Sequence, residues 1–353
     1  MKKFAVCSGF LGAGKTSVMM ALTRRYNEKY GKSAMICNDL CGADLVDNRF
    51  AAMEGCQTSE LTGGCICYQL ENLSKRLNDL YDTAGCSLVL SDIPGFGVGA
   101  LEHVYHGLTR NYPGHYSLAP FLVVLEPKRL RMLREGADED LTYILRAQLS
   151  EADLIVLNKC DLLSDAERQA GSNWLASSFP HAQVLAVSAL TGEGIDSLIH
   201  ALIQGSASLR LPDIGYGGPA FRRAMGRMSE YRCGCYAQVC CHTFDGTQWL
   251  LALAQSVSER IDAANGEIPH LKLLAWSEDG DYGRVDVLGV HRAVQVGKAF
   301  DHRCTNLALQ INSSAMCDAA VLSGAIEEAL AVTADTFQLN LTFYEQECFG
   351  VGQ

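Results

Sequence analysis

Gly9-Phe10-Leu11-Gly12-Ala13-Gly14-Lys15-Thr16 follows the apolar run Lys3–Ser8 and opens the helical pattern Lys15–Tyr30. It satisfies G-x-x-x-x-G-K-[ST] at every fixed position, in the strand–loop–helix setting that the motif requires. Gly9, Gly12 and Gly14 let backbone N–H groups around Ala13 converge on phosphate oxygens. The helix N-terminus at Lys15, Thr16 and Ser17 adds its partial positive charge. The expected roles are a Lys15 that bridges the β- and γ-phosphates of a nucleoside triphosphate and a Thr16 hydroxyl that ligates Mg²⁺.

Outward from this loop, short apolar runs alternate with helical patterns. Ser33–Asn38, Ser87–Ser91, Phe121–Leu125, Leu154–Asn158 and Gln183–Val187 read as buried strands, like Lys3–Ser8. Glu71–Thr83, Asp138–Leu149 and Asp165–Phe179 read as helices between them. Continuous apolar strands separated by helices imply a parallel sheet covered on both faces. The expected fold is therefore α/β, a doubly wound and mostly parallel sheet of the P-loop NTPase type. Ligands then gather at the C-terminal strand edge. Residues 1–207 form this domain, 208–230 a linker marked by Gly215-Tyr216-Gly217-Gly218-Pro219, and 231–353 a smaller C-terminal α+β domain. That second domain is expected to hold strands at Ala237–Thr243, His270–Ala275, Arg284–Val290, Thr305–Ile311 and Gln338–Phe343, with helices at Trp249–Ala264 and Ala319–Thr333, in two β-α-β-like halves.

A formal net charge of −11 opposes binding to nucleic acid or anionic membranes, and no basic stripe offsets it. No apolar run approaches the ~20 residues that span a bilayer. The start, Met1 to Cys7, breaks into Ser8-Gly9 too soon for a signal peptide. The expected location is the cytoplasm, where 15 cysteines read as thiols or metal ligands rather than disulfides. Most of them, including Cys7, Cys86 and Cys160, are expected to be small buried hydrophobes.

The base is named by Asn158-Lys159-Cys160-Asp161 at the end of an apolar strand. Asp161 accepts from the N1–H and exocyclic amine of guanine, a donor pair that adenine lacks. Asn158 ties this turn to the phosphate loop, and the Lys159 stem covers the ring. Beyond the next strand, Ser188-Ala189 offers a backbone N–H for guanine O6. GTP is the expected nucleotide. Asp92, at the end of a strand and before Pro94-Gly95, is the expected second Mg²⁺ residue. Asp39 is a further candidate carboxylate, and Lys15, Asp39 and Asp92 are the candidate catalytic set. Asp44 and Asp47 fall in a candidate switch segment.

These residues resemble the CobW-like family of P-loop GTPases, relatives of the nickel chaperones UreG and HypB. Ser8 to Thr16 looks like the family's G-F-L-G-A-G-K-T signature, and Asn38-Asp39 stands where the family has Asn-Glu. Glu60-Leu61-Thr62-Gly63-Gly64-Cys65-Ile66-Cys67 is similar to its E-L-x-x-G-C-I-C-C segment. Gln148 through Asp161 is similar to its Q-x-x-x-A-D…N-K-x-D stretch. Two positions depart: Tyr68 replaces the third cysteine of Cys-x-Cys-Cys, and Asp92 replaces a Glu. The resemblance covers roughly the first 200 residues. It implies a GTP-hydrolysing metallochaperone in which Cys65 and Cys67 hold a transition metal, Zn²⁺, Co²⁺ or Ni²⁺, for a client metalloenzyme. It also implies pairing of two copies across the nucleotide face.

A closed Zn²⁺ site usually has four ligands. Cys37, Cys41, Cys56, Glu60 or a second subunit are the candidates to complete it. With Tyr68 in the motif, a rival reading is a GTPase that remodels a client, for example a corrinoid-dependent enzyme, without metal cargo. A third reading, a small-molecule kinase, needs an Arg-rich lid. Arg129, Arg131 and Arg134 are the one cluster available and are expected to form a solvated helix face. Cys233-Gly234-Cys235, Cys240-Cys241-His242 and Cys304 are expected to be buried thiols or surface turns, with Cys233 and Cys235 on one face of a strand.

Overall fold

The computed structural model describes residues 2–38, 51–52, 54–61, 64–136, 138–288 and 293–351. Asp39, Cys41, Asp44 and Asp47 lie outside them. The chain divides into two compact units, Met1–Phe221 and Arg222–Gln353.

The first unit is built on an eight-stranded parallel sheet. Its strands are β1 (Lys3–Ser8), β2 (Ser33–Asn38), β3 (Thr58–Leu61), β4 (Leu88–Asp92), β5 (Ser117–Leu118), β6 (Leu122–Leu125), β7 (Leu154–Leu157) and β8 (Gln183–Ala186). The order is β3-β2-β4-β1-β6-β7-β8, with β5 also pairing β1. The central strands β1, β2, β4, β6 and β7 are buried along their whole length. That is why they read as unbroken apolar runs rather than alternating ones. Where the ladder beside β1 passes from β5 to β6, the Val6 N–H would be stranded. The Tyr105 hydroxyl accepts it at 3.0 Å, as a buried donor requires.

The helices are α1 (Lys15–Lys29), α2 (Leu70–Asn78), α3 (Gly107–Asn111), α4 (Pro127–Glu135), α5 (Glu139–Glu151), α6 (Asp165–Ser178) and α7 (Ile195–Gln204). Wide π-helical turns extend α2 at Asp79–Thr83 and precede α3 at Leu101–His106. Helix α5 starts at Asp138, whose side chain accepts the Leu141 N–H, and α6 starts at Ser164 in a capping box with Glu167. These caps fix where the chain leaves the strand edge.

The second unit begins within α8 (Pro219–Gly226), a helix in the stretch expected as linker. Its strands are β9 (Ser229–Gln238), β10 (Glu267–Trp276), β11 (Tyr282–Leu288), β12 (Ala293–Lys298), β13 (Asn306–Met316) and β14 (Asn340–Gly350). They form an antiparallel sheet in the order β12-β11-β10-β13-β9-β14. Helices α9 (Gly246–Ala263) and α10 (Ala319–Phe337) connect β9 to β10 and β13 to β14. Each connection spans one intervening strand, so the expected β-α-β halves are split and interleaved. Trp249, Leu253, Val257, Leu322, Ile326 and Leu330 pack onto the core face of this sheet.

The strand expected at Ala237–Thr243 is corrected: β9 runs earlier and ends at Gln238, leaving Cys240 and Cys241 exposed in the bend beyond it. Glu230 and Arg232, which alternate with its core-facing residues, are buried but polar, which hid its first half from an apolar-run reading. Cys233 and Cys235 share the core face and are buried, as are Cys7, Cys86, Cys160 and Cys304. Among the described residues no helix is long and apolar enough to cross a membrane.

Candidate functional site: a phosphate loop, a purine turn and a thiol pair on one sheet edge

After β1 the chain turns back over β6. Gly9 sits at φ 136°, and a Cβ there would stand 2.2 Å from the Val124 carbonyl oxygen, so only glycine fits. Gly14, at φ 91°, is the N-cap of α1, and a Cβ on it would meet Asn158 Nδ2 at 2.5 Å. Among the described residues no side chain caps this helix. Its first N–H groups are left to point outward with the helix dipole behind them, an arrangement that suits an anion. Lys15 Nζ donates to the Gly9 carbonyl at 2.9 Å, which arches the ammonium back over the loop. Thr16 lies half-buried and Ser17 exposed in the same first turn.

The turn after β7 is laced to this loop by side chains. Asn158 is buried; its Nδ2 donates to the Ala13 carbonyl at 2.9 Å, and its Oδ1 accepts the Ala189 N–H at 3.1 Å. One amide thus joins the phosphate loop, the end of β7 and the Ser188-Ala189 turn. Lys159 takes the left-handed conformation at φ 59°, which costs a non-glycine residue about 1 kcal/mol or more. Its Nζ donates to the Gly12 carbonyl at 2.8 Å and pairs with Glu126 Oε2 at 2.5 Å. Asp161 stands exposed on the 3₁₀ turn Cys160–Leu162. Leu162 and Leu190, next in chain to Asp161 and Ala189, are 71% and 87% exposed.

Glu126 was not among the expected site residues. It is buried at the exit of β6, where Asp92 and Asn158 stand on β4 and β7. A polar residue directly after an apolar strand was the available signal, because that is the ligand edge of such a sheet.

Asp92 ends β4, lies opposite Cys7 in register and is buried. Its Oδ1 accepts the Asn38 N–H at 2.8 Å. Burial pushes the Cys7 thiol up to about 12, against the opposing pull of Lys15. That marks Cys7 as an inert core thiol. A Cβ on Gly95 would stand 2.5 Å from Leu11, so the chain after Asp92 lies against the phosphate loop. Gln148 Nε2 holds this loop by donating to the Gly95 and Gly97 carbonyls, both at 3.0 Å. Glu151 accepts from the Gly99 and Leu101 N–H groups at 2.8 and 2.9 Å.

Glu151 is buried, and burial raises its carboxyl from 4.5 to about 7 despite those two donors. Between these values the folded chain holds a proton that the unfolded chain has released, so stability falls as pH rises through that window. The loss reaches roughly 3 kcal/mol at most, since each tenfold change in proton affinity is worth about 1.4 kcal/mol. We expect Glu151→Gln to lose this share of the pH slope. Urea melts at pH 5, 6 and 7.5 check it; a slope equal to wild type between pH 5 and 7 contradicts the raised carboxyl.

The thiol segment lies beyond β3. Ile66–Tyr68 is a single 3₁₀ turn that buries Ile66 and leaves Cys65 and Cys67 half-buried. Their sulfurs stand 2.8 Å apart. The contact between them draws the Cys65 thiol below its ordinary range and drives Cys67 well above it. Cys37, at the end of β2, and Cys56 are buried. Among the described residues no three His, Cys, Asp or Glu side chains come together as a metal cluster. Tyr68 is 72% exposed. Its hydroxyl shares a hydrogen bond with that of Tyr216 at 2.6 Å, and its ring lies 5.9 Å from His103.

The arginine cluster is corrected. Arg129 is fully buried, with its guanidinium 4.8 Å from the centre of the Phe10 ring. Only Arg131 and Arg134 face solvent. The planar cation stacks on an aromatic face in the loop instead of joining a lid.

The model of the CobW/HypB/UreG nucleotide-binding domain matches residues 3–186. The zinc chaperone YeiR of Escherichia coli (strain K12) is 28% identical over 184 residues, covering 49% of this chain and 51% of that protein. The GTPase Obg of Desulfatibacillum aliphaticivorans is 29% identical over 151 residues, covering 41% and 43%. The chain thus spans about half the length of the curated relatives it matches. Among solved structures, Helicobacter pylori HypB in complex with nickel is 15% identical over 57% of this chain and 85% of that one, with a TM-score of 0.42. The Zn(II)-bound YjiA GTPase from E. coli is 16% identical over 94% and 98%, with a TM-score of 0.39.

Proposed function

Because the chain belongs to the CobW/HypB/UreG family through its nucleotide-binding domain, we propose that it binds and hydrolyses GTP and uses the nucleotide state to load and release a transition metal for a client metalloenzyme. The observation that carries this reading is a close thiol pair, Cys65 and Cys67, whose sulfurs stand 2.8 Å apart beside the strand that ends in Asp92. A thiolate is the form of cysteine that binds metal.

In this reading the amides of residues 9–16 grip the triphosphate, Lys15 neutralises charge between the β- and γ-phosphates, and Asp161 selects guanine. Asn158 and Lys159 hold the purine turn against the loop, and Ser188-Ala189 presents an N–H to the base. The Thr16 hydroxyl and Asp92 carboxylate are hard oxygen donors of the kind that suit Mg²⁺; Mg²⁺ supplies charge neutralisation on the phosphates. Asp39 and Asp92 are the carboxylates assigned to orienting the attacking water. A relative named as a zinc chaperone supports Zn²⁺ ahead of Co²⁺ and Ni²⁺ as cargo. Two thiolates leave a Zn²⁺ site half filled. The remaining ligands come from the client, from a second copy paired in the GTP state, or from a residue such as Cys41. The cytoplasm is the location this chemistry fits, since the thiols must stay reduced.

The test is native mass spectrometry of the full chain with Mg²⁺, a GTP analogue, GDP and Zn²⁺. One guanine nucleotide and stoichiometric Zn²⁺ per chain are expected. Cys65→Ser with Cys67→Ser should weaken Zn²⁺ binding by about 100-fold or more, because both thiolates are lost. A second reading, client remodelling without metal, for example of a corrinoid-dependent enzyme, draws on Tyr68 standing where a third thiol would be. It predicts guanine nucleotide with no stoichiometric metal in either protein. Absence of bound nucleotide defeats both.

A further inference from the structure

Asn38, the last residue of β2, touches both halves of the site. It is 4% exposed. Its backbone N–H donates to Asp92 Oδ1 at 2.8 Å. Its side-chain Oδ1 accepts the Ile66 N–H at 3.0 Å, and Ile66 is the residue between the two thiols. Its Nδ2 donates to the Gly64 carbonyl at 2.8 Å and the Leu61 carbonyl at 3.2 Å. Two carbonyls on one side and an N–H on the other fix the orientation of this amide without ambiguity. Three of its four bonds therefore clamp the backbone that carries Cys65 and Cys67, and the fourth ends on the carboxylate assigned to the Mg²⁺ side of the nucleotide.

We propose that Asn38 is the positioning residue through which nucleotide occupancy sets the geometry of the Cys65–Cys67 turn. The inference rests on the reading that guanine nucleotide binds at the phosphate loop with Asp92 at its edge. The planar amide is short and buried, so a displacement of the Asp92 carboxylate is passed to Leu61, Gly64 and Ile66 rather than absorbed by a flexible side chain. Packed interiors respond to such displacements by switching between arrangements instead of deforming smoothly. The length of the path is one residue, which gives the coupling a physical carrier of the kind that such a claim needs. Asn38→Ala and Asn38→Asp both sever the clamp while keeping the backbone N–H on Asp92. Alanine removes all three side-chain bonds; aspartate keeps the acceptor for Ile66 but turns an oxygen toward two carbonyls.

The experiment uses the full chain with Mg²⁺, without transition metal, loaded with GDP or with a non-hydrolysable GTP analogue. Alkylation of Cys65 and Cys67 by iodoacetamide is followed site by site by mass spectrometry, with exposed Cys241 as the internal reference. In wild type the Cys65 rate should differ between the two nucleotides by about fivefold or more. In Asn38→Ala and Asn38→Asp the ratio should fall to within about twofold of one, while melting stays cooperative. Variants that retain the wild-type ratio overturn the proposal. Should neither variant fold, hydrogen exchange at the Ile66 amide of wild type decides: protection must differ between the nucleotides, and equal protection overturns it. A chain that binds neither nucleotide removes the parent reading as well. A chain that binds both with nucleotide-independent thiol rates leaves the GTPase standing and removes only Asn38.

Discussion

Asp161→Asn should cut GTP affinity by about 100- to 10,000-fold and admit xanthosine triphosphate in its place. The carboxylate stands on a turn whose backbone is held from three sides. The Cys160 N–H donates to the Val187 carbonyl at 3.1 Å, Lys159 is pinned to Gly12 and Glu126, and Asn158 bridges Ala13 and Ala189. Such a turn cannot shift to accommodate a different base, so discrimination falls on the side chain. Guanine presents N–H donors at N1 and at the exocyclic amine. An asparagine offers one acceptor and one donor, leaving one donor of guanine facing another donor. Xanthine carries a carbonyl at that carbon and pairs with the asparagine amide. Competition binding of GTP, xanthosine triphosphate and ATP measures the change. A variant that keeps wild-type preference for GTP would show that the purine is read elsewhere.

Lys15→Met should lower the rate of GTP hydrolysis by about 1,000-fold, the scale on which a preorganised charge acts in a transition state. The ammonium arches back to within 2.9 Å of the Gly9 carbonyl, over the loop whose amides are assigned to the phosphates. Methionine keeps the length and apolar stem of the side chain at close to its volume. The loss then reports charge rather than shape. Single-turnover hydrolysis with saturating nucleotide, alongside a thermal melt, separates the two. Hydrolysis within tenfold of wild type would remove Lys15 from the catalytic set.

Much of the first unit was legible because its signals are local. A strand buried on both faces must be apolar throughout, and the phosphate loop needs glycine where φ is positive or a Cβ would collide. Lys3–Ser8 and Ser33–Asn38 have the bounds expected of them. Other elements were missed for identifiable reasons. Thr58–Leu61 is only half-buried at the sheet edge and carries no apolar run. The helix at Gly107–Asn111 is entered through π turns that break the period of about 3.6 residues. Ile195–Gln204 did carry a signal, since Ile195, Leu198, Ile199 and Leu202 all face the core. The alternating polar face of Ser229–Gln238 masked where that strand begins.

The residue order by itself determined the sheet type and proposed the nucleotide class, because a phosphate cradle, a purine turn and a doubly covered strand each require particular side chains within a few consecutive positions. It left open which side chains meet across the fold. Asn38 reaching Leu61, Gly64, Ile66 and Asp92, Glu126 pairing with Lys159, and Arg129 turning inward onto Phe10 are separated by many residues in the chain. Only the strand order β3-β2-β4-β1-β6-β7 brings their strand ends to one edge. Hydrogen bonds and ion pairs act over a few ångströms, so the folded order of strands, and not the spacing along the chain, decides which of them form.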